Sequence, residues 1–356
     1  MSRFSHARSS RPVAIWLFAV AALVFLMVVV GGATRLTDSG LSITEWKPVS
    51  GALPPMNADD WAEEFARYRA IPEYQQVNRG MSLAEFQTIY WWEWVHRQLG
   101  RLIGLAFALP FVWFLLRREA PRRLIAPCAA LFVLGGLQGA IGWWMVSSGL
   151  VDRVDVLPER LTVHLGLALL IFVGLLWTAF DALDDGERTR PPRGWAIAAL
   201  ALLALAFVQS LLGGLVAGND AGRLYTDWPL MAGQAVPPID WTGGWVRAAL
   251  HDPGLVQFNH RVGGYFLVAC ASLFALQAFR DRMPDAVRLG AALTAGLVWL
   301  QALAGIVTVM NAAPVWLGII HQIGALLVLG SATWLAWRIR RSENHLFSPG
   351  IRSRGP

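Results

Sequence analysis

The chain has 356 residues, of which 55% are hydrophobic and only 15% charged, against about a quarter charged in soluble domains; with a mean hydropathy of +0.46, an ordinary soluble domain is excluded. The net charge of +6 does not imply a nucleic-acid partner, because the basic residues sit in short clusters between apolar runs, where they set membrane orientation. Cys128 and Cys270, the two cysteines, both fall inside apolar runs, which argues against a surface disulfide.

Eight nearly charge-free stretches match the roughly 20 residues that cross a bilayer core of about 30 Å. They are placed at about 13–33, 96–116, 124–146, 161–180, 195–217, 258–279, 287–309 and 315–337. The basic segment before the first, Met1 to Arg11, leads into an apolar run too long for a signal-peptide core, so the run reads as a retained helix. Arginines then alternate sides. Arg3, Arg8 and Arg11, the 117–123 turn, the 181–194 loop, Arg280, Arg282 and Arg288, and the tail with Arg338, Arg340 and Arg341 share one face. By the positive-inside rule that face is cytoplasmic. The loops 34–95, 147–160 and 218–257 are then periplasmic, and both termini of this multi-pass protein of a bacterial inner membrane are cytoplasmic.

The chain repeats itself. Gly31-Gly32 ends the first span and Gly213-Gly214 the fifth, each followed by a polar stretch, Asp38-Ser39-Gly40 or Asn219-Asp220-Ala221-Gly222. His96-Arg97 opens the second span and His260-Arg261 the sixth. Gln138 precedes Gly142 in the third as Gln301 precedes Gly305 in the seventh. His164 and His321 lie early in the fourth and eighth. Four spans per repeat give both halves one orientation, related by a pseudo-twofold along the membrane normal. The expected fold is all-α integral membrane: eight transmembrane helices as two four-helix bundles, residues 1–183 and 184–356, joined through the 181–194 loop with Pro191-Pro192.

Of seven histidines, His6, His251 and His345 lie in tails or a loop. The other four each fall in the first turns of an even-numbered span, at similar depth near the periplasmic face, two per bundle. Paired neutral imidazoles on facing helices are what a six-coordinate haem iron needs. The residue four after each is small (Gly100, Ala168, Gly264, Ala325) and shares its helix face, leaving a flat surface for a porphyrin. Arg97, Arg101 and Arg261 beside them either pair with haem propionates or snorkel to the interface. Glu93, one turn before His96, has no acidic counterpart at Val256 or Gln257. It is either a carboxylate acting as base or charge stabiliser or a solvated interfacial group. The aromatics of the first loop, among them Trp46, Trp61, Tyr68, Tyr74, Tyr90, Trp91, Trp92 and Trp94, form either an interface belt or the wall of a ligand site.

The set Glu93-x-x-His96-Arg97, Gln138 with the stretch from Trp144 to Leu150, His164, His260-Arg261 and His321, with Gly31 to Leu36, resembles the haem A synthase family over about residues 12–340. The resemblance implies oxidation of the C8 methyl of haem O to a formyl group by successive hydroxylations, giving haem A for terminal oxidases. It implies that His96 and His164 flank the haem O site, with Glu93 as catalytic carboxylate. It implies that His260 and His321 ligate a haem b cofactor that relays electrons. Haem O and haem A, membrane lipid, a haem O synthase, oxidase assembly factors and a second copy of the chain are the partners the resemblance implies. Some members carry a periplasmic cysteine pair; this chain is similar to the cysteine-free proteobacterial and mitochondrial branch. Two rivals stay open on the residues alone: a bis-histidine di-haem b cytochrome that only transfers electrons, and a transporter built from parallel repeats.

Overall fold

Backbone N–H and C=O groups in lipid must be satisfied within their own segment, so charge-free runs of this length become helices. A computed structural model describes residues 10–183 and 193–340; Arg3, Arg8, His6, most of the 181–194 loop, Arg341 and His345 lie outside the described residues. In chain order, α1 (Arg11–Leu36) leads through a loop to α2 (Ala58–Arg69) and α3 (Pro72–Gln76). Then come α4 (Leu83–Leu116), α5 (Arg122–Val146), α6 (Pro158–Leu183) and α7 (Arg193–Gly218). After α8 (Gly244–His251) follow α9 (Pro253–Arg280), α10 (Asp285–Met310) and α11 (Val315–Arg340). Eight of these, α1, α4, α5, α6, α7, α9, α10 and α11, are long and apolar enough to cross a membrane, and no strand occurs among the described residues.

One span differs from the sequence expectation. Helix α4 begins at Leu83, so His96 lies thirteen residues into its helix. His164, His260 and His321 lie six or seven residues into theirs, so the first-turn placement fails for His96. The cause is a capping box: the Ser82 hydroxyl accepts from the Glu85 N–H at 3.3 Å, and the Glu85 carboxylate accepts from the Ser82 N–H at 2.8 Å. It satisfies two orphan ends of the helix outside the apolar stretch.

Helix α1 packs on α4 and α6, and α5 on α6; α7 packs on α9 and α11, and α10 on α9 and α11. Between the halves, α6 meets α7 and α11, and α1 meets α11. The repeated Gly-Gly pairs serve this seam. A methyl group on Gly32 would overlap the Gln322 side chain of α11, and one on Gly214 would stand 3.1 Å from Leu165 of α6. Gln322 Nε2 also donates to the Val28 carbonyl of α1 at 2.9 Å. Small residues let helices approach closely where lipid offers no hydrophobic drive between them.

The polar stretches after the two Gly-Gly pairs share a backbone: Asp38 and Asp220 both have φ of 49°, a left-handed conformation that short polar side chains tolerate. Arg35 bridges them, at 2.9 Å from Asp38 and 2.7 Å from Asp220, with Asp155 at 3.5 Å. One cation thus ties together three loops from both halves.

The first loop has its own core. Tyr68 and Phe86 are fully buried and stack 5.2 Å apart; Phe65 lies 4.9 Å from Phe86, and Trp61 5.0 Å from Tyr90. Most loop aromatics therefore pack on one another, while Trp46, Trp91 and Trp92 stay exposed. Glu73 is caught in this core at 5% exposure, with Oε2 unpartnered and Asn78 donating to Oε1 at 3.4 Å. Burial, followed by the charges of Asp155 and Glu93, pushes its carboxyl up to about 8. A carboxyl raised on folding adds stability that is complete below its unfolded pKa and disappears as pH climbs through the folded one. Hydrogen-exchange protection of residues 37–82 should fall between pH about 5 and about 9, and Glu73→Gln should flatten that dependence. Unchanged pH sensitivity in the variant would place its origin elsewhere.

Candidate functional site

Every one of the four intramembrane histidines lies on a glycine of the preceding odd-numbered span. A methyl group on Gly31 would stand 2.9 Å from His96, one on Gly142 2.9 Å from His164, one on Gly213 3.2 Å from His260, and one on Gly305 2.8 Å from His321. No larger residue leaves room for an imidazole pressed against the neighbouring backbone. A glutamine one turn before the glycine holds three of the four. Gln138 Nε2 donates to the His164 carbonyl at 3.0 Å. Gln209 Nε2 lies 2.8 Å from the His260 carbonyl and 3.1 Å from its Nδ1. Gln301 Nε2 lies 2.7 Å from the His321 carbonyl and 3.0 Å from its Nδ1.

In the C-terminal half, His260 and His321 face each other with ring centres 6.2 Å apart, almost perpendicular at 82°. Two imidazoles on opposite sides of one metal ion, each bonded at about 2.0 Å, have centres roughly 6 Å apart. Both rings line a cavity of about 340 Å³ with mainly apolar walls, and so do Gly264 and Ala325, the small residues four positions after them. Arg35, Arg223 and Arg261 also line it. Arg35 Nε and Arg261 Nε are buried donors without a partner, and the Oε1 atoms of Gln209 and Gln301 are buried acceptors without one. No group of three or more His, Cys, Asp or Glu placed to hold a bare metal ion occurs among the described residues. A two-imidazole site with unpaired donors at its rim fits a group that brings its own equatorial ligands and its own carboxylates, as haem does.

The arginines next to the histidines are loop clamps. Arg97 donates to the carbonyls of Ile43 and Glu45, each at 2.8 Å, and Arg101 to those of Lys47 at 2.8 Å and Pro48 at 2.9 Å. Arg261 reaches the carbonyls of Tyr225 at 2.9 Å and of Asp227 and Leu230 at 3.0 Å. The segments 43–48 and 225–230 are thus pinned to α4 and α9, the helices that carry His96 and His260.

Glu93 is neither solvated nor loose. It is 2% exposed. Its Oε1 accepts from Arg97 at 2.6 and 3.1 Å, and its Oε2 from the Ser42 hydroxyl and the Ile43 N–H, both at 2.8 Å. Its counterpart is Gln257, also buried, which donates to the Tyr225 carbonyl at 3.1 Å and lies 3.4 Å from Arg261. The same loop anchor is built twice, once with a carboxylate and once with an amide.

The family model described as cytochrome oxidase assembly protein matches residues 14–333. The chain belongs to this family. It is similar to the heme A synthase of Caulobacter sp. (strain K31), at 55% identity over 96% of this chain and 100% of that one. It is similar to the heme A synthase of Parvibaculum lavamentivorans, at 53% over 92% and 94%, and to that of Bradyrhizobium diazoefficiens, at 46% over 96% and 95%.

Within this family member, several residues that shape the site escaped the sequence reading: Gln209, the cavity-lining Arg223, the bridging role of Arg35, and the glycines as histidine platforms. The signal was present as Gln-x-x-x-Gly on α5, α7 and α10, a spacing that puts both side chains on one helix face.

Gly305→Val should force His321 aside, because the added carbon would sit 2.8 Å from the ring and overpacking costs about 1–3 kcal/mol. Absorption spectra of the purified protein should show loss or alteration of one bound haem. Gly104→Ala, whose carbon would meet nothing within 4 Å, should leave the spectrum as it is.

Proposed function

We propose that this protein is a membrane oxidoreductase that converts haem O to haem A by oxidising the C8 methyl group to a formyl group for terminal oxidase assembly. Relatives named heme A synthase, aligned over nearly their whole length, support the activity. The observation that carries the residue assignment is the asymmetry of the two anchors, Glu93 in one half and Gln257 in the other. Chemistry belongs to the half with the charge.

In this reading the chain forms two pseudo-twofold-related four-helix bundles, residues 1–183 and 184–356, with both termini cytoplasmic and the histidine sites toward the periplasm. His96 and His164 hold substrate haem O, and His260 and His321 hold a haem b. That haem b would accept the electrons released by methyl oxidation. Glu93 is the catalytic carboxylate: fixed by Arg97, Ser42 and the Ile43 N–H, it stabilises positive charge that develops on the substrate edge and takes up protons leaving it. Arg97, Arg101 and Arg261 hold the loops beside the two sites, while the free Nε–H groups of Arg35 and Arg261 receive propionates.

The electron-transfer cytochrome remains a rival with a distinct signature, two permanent haems of one type. Expression in cells that make haem O but no haem A, followed by haem extraction and chromatography, separates the two. The parent protein should yield haem b together with haem O, haem A or a hydroxylated intermediate. Glu93→Gln copies the neutral anchor of the other half, so it should fold and retain both haems yet form no haem A; product at the parent level would remove Glu93 from the chemistry. His260→Ala and His321→Ala should each lose haem b, and unchanged haem b content in both would refute the division of labour between halves.

A further inference from the structure

Two consecutive spans in the N-terminal half stand apart. Helix α9 packs along α10, and Trp299 Nε1 of α10 donates to the Ser272 hydroxyl of α9 at 3.0 Å. Helix α4 packs far less on α5. A stacked ring pair joins them, Phe107 on Phe132, with centres 6.2 Å apart and planes 17° from parallel. His96 lies eleven residues before Phe107, and Gly142, on which His164 rests, ten after Phe132. At 1.5 Å per residue, each helix runs about 15 Å from the ring pair to the histidine site.

Over that distance the facing positions are bare. On α4, Gly104 follows His96 and Gly100 at four-residue steps, on one helix face. On α5, Gly135, Gly136 and Gly139 occupy the face between Phe132 and Trp143. A methyl group on Gly104, Gly135, Gly136 or Gly139 would meet nothing within 4 Å. At the histidine end Trp46 stacks on Trp143, with centres 6.2 Å apart and planes at 11°, so an aromatic pair closes the gap at either end. Gly135 also continues, at helical spacing, the buried stripe of Leu124, Cys128 and Leu131. Its exposure therefore marks an opening into the protein rather than an outer surface.

The C-terminal half of the sequence is filled at the same places. With Gln138 matched to Gln301, Gly135 and Gly136 correspond to Val298 and Trp299; with His96 matched to His260, Gly104 corresponds to Val268. Val298 is 3% exposed, Val268 packs on the core, and Trp299 carries the hydrogen bond to Ser272. Small residues ordinarily let membrane helices approach closely; between α4 and α5 they widen a gap instead.

Such a gap suits an apolar group that one haem has and another lacks. Haem O carries a farnesyl-derived hydrocarbon tail on its ring; haem b carries none. Lipid is as apolar as a leucine side chain, so a hydrocarbon tail needs a passage to the bilayer rather than a closed pocket. We propose that the α4–α5 gap is the tail subsite of the N-terminal site: the porphyrin sits between His96 and His164, and its tail runs over Gly104, Gly135 and Gly139 into lipid. Substrate enters and product leaves sideways along the same passage. The closed α9–α10 pair restricts the C-terminal site to a tail-free haem. The proposal rests on the assignment of haem O to the N-terminal half and adds what selects it there.

The test is haem extraction and chromatography of the full-length protein from cells that make haem O but no haem A of their own. Gly135→Val/Gly136→Trp copies the filled positions of α10 into α5, and replacing glycine favours the helix. This variant should keep haem b and lose haem O, hydroxylated intermediate and haem A, whereas Gly135→Ala/Gly136→Ala should match the parent. Gly139→Leu fills the same face with one side chain and should act likewise should the double variant fold poorly. In cells that make haem b but no haem O, parent and filled variants should hold equal haem b. Less haem b in both filled variants would mean that the new side chains bar the ring itself, which overturns the tail assignment. Haem O and haem A at the parent level in both filled variants overturns it too. His164→Ala checks the halves separately: it should lose haem O and keep haem b. If haem O survives that change and is lost in His260→Ala, the division of halves falls and this proposal with it.

Discussion

Everything in this molecule hangs on an imidazole lying against a bare helix backbone. Four times a histidine on an even-numbered span occupies the space that a side chain on the preceding span would fill, with the hypothetical carbon 2.8 to 3.2 Å from the ring. The contact fixes how closely each helix pair approaches and how far each ring projects. It also sets which neighbour can hold the ring from the side, since one helical turn before the glycine is the position that looks across at the same histidine. The second glycine of each Gly-Gly pair, Gly32 or Gly214, makes the same kind of close approach toward the other half. A few residues without side chains thereby locate both the sites and the seam.

Repeated motifs place similar contacts in the two halves of the sequence, and single differences within them change the groups that meet there. The loop clamp of Arg97 and Arg261 is common to both. The residue beside each clamp is not: a carboxylate with four donors in one half, an amide in the other. A buried polar group is costly unless it is hydrogen-bonded, and Arg97, Ser42 and the Ile43 N–H satisfy both oxygens of Glu93. Arg35 belongs to one half alone and gathers the Asp of both polar stretches, so the repeat is cross-linked by a residue that breaks it.

The sequence carried the membrane class and the span count, because hydropathy is a local property. It also singled out Glu93, His96, His164, His260 and His321. It misjudged the start of α4, where the Ser82–Glu85 capping box carries the helix beyond its apolar stretch. It left the aromatic loop as belt or ligand wall, since burial of Tyr68 and Phe86 against each other depends on a chain reversal that no periodicity announces.

What the sequence by itself determined is therefore the number of crossings, their order and the placement of one histidine in each even span: lipid allows a charge-free run only one hydrogen-bonded form. What only the tertiary structure decided is which partner each functional group has. Whether Glu93 faces water or four donors, whether an arginine meets a carbonyl or stays open, and whether a histidine is held by a glutamine all depend on contacts between residues up to fifty or more positions apart. Such contacts depend on how whole helices pack, and no local pattern encodes them.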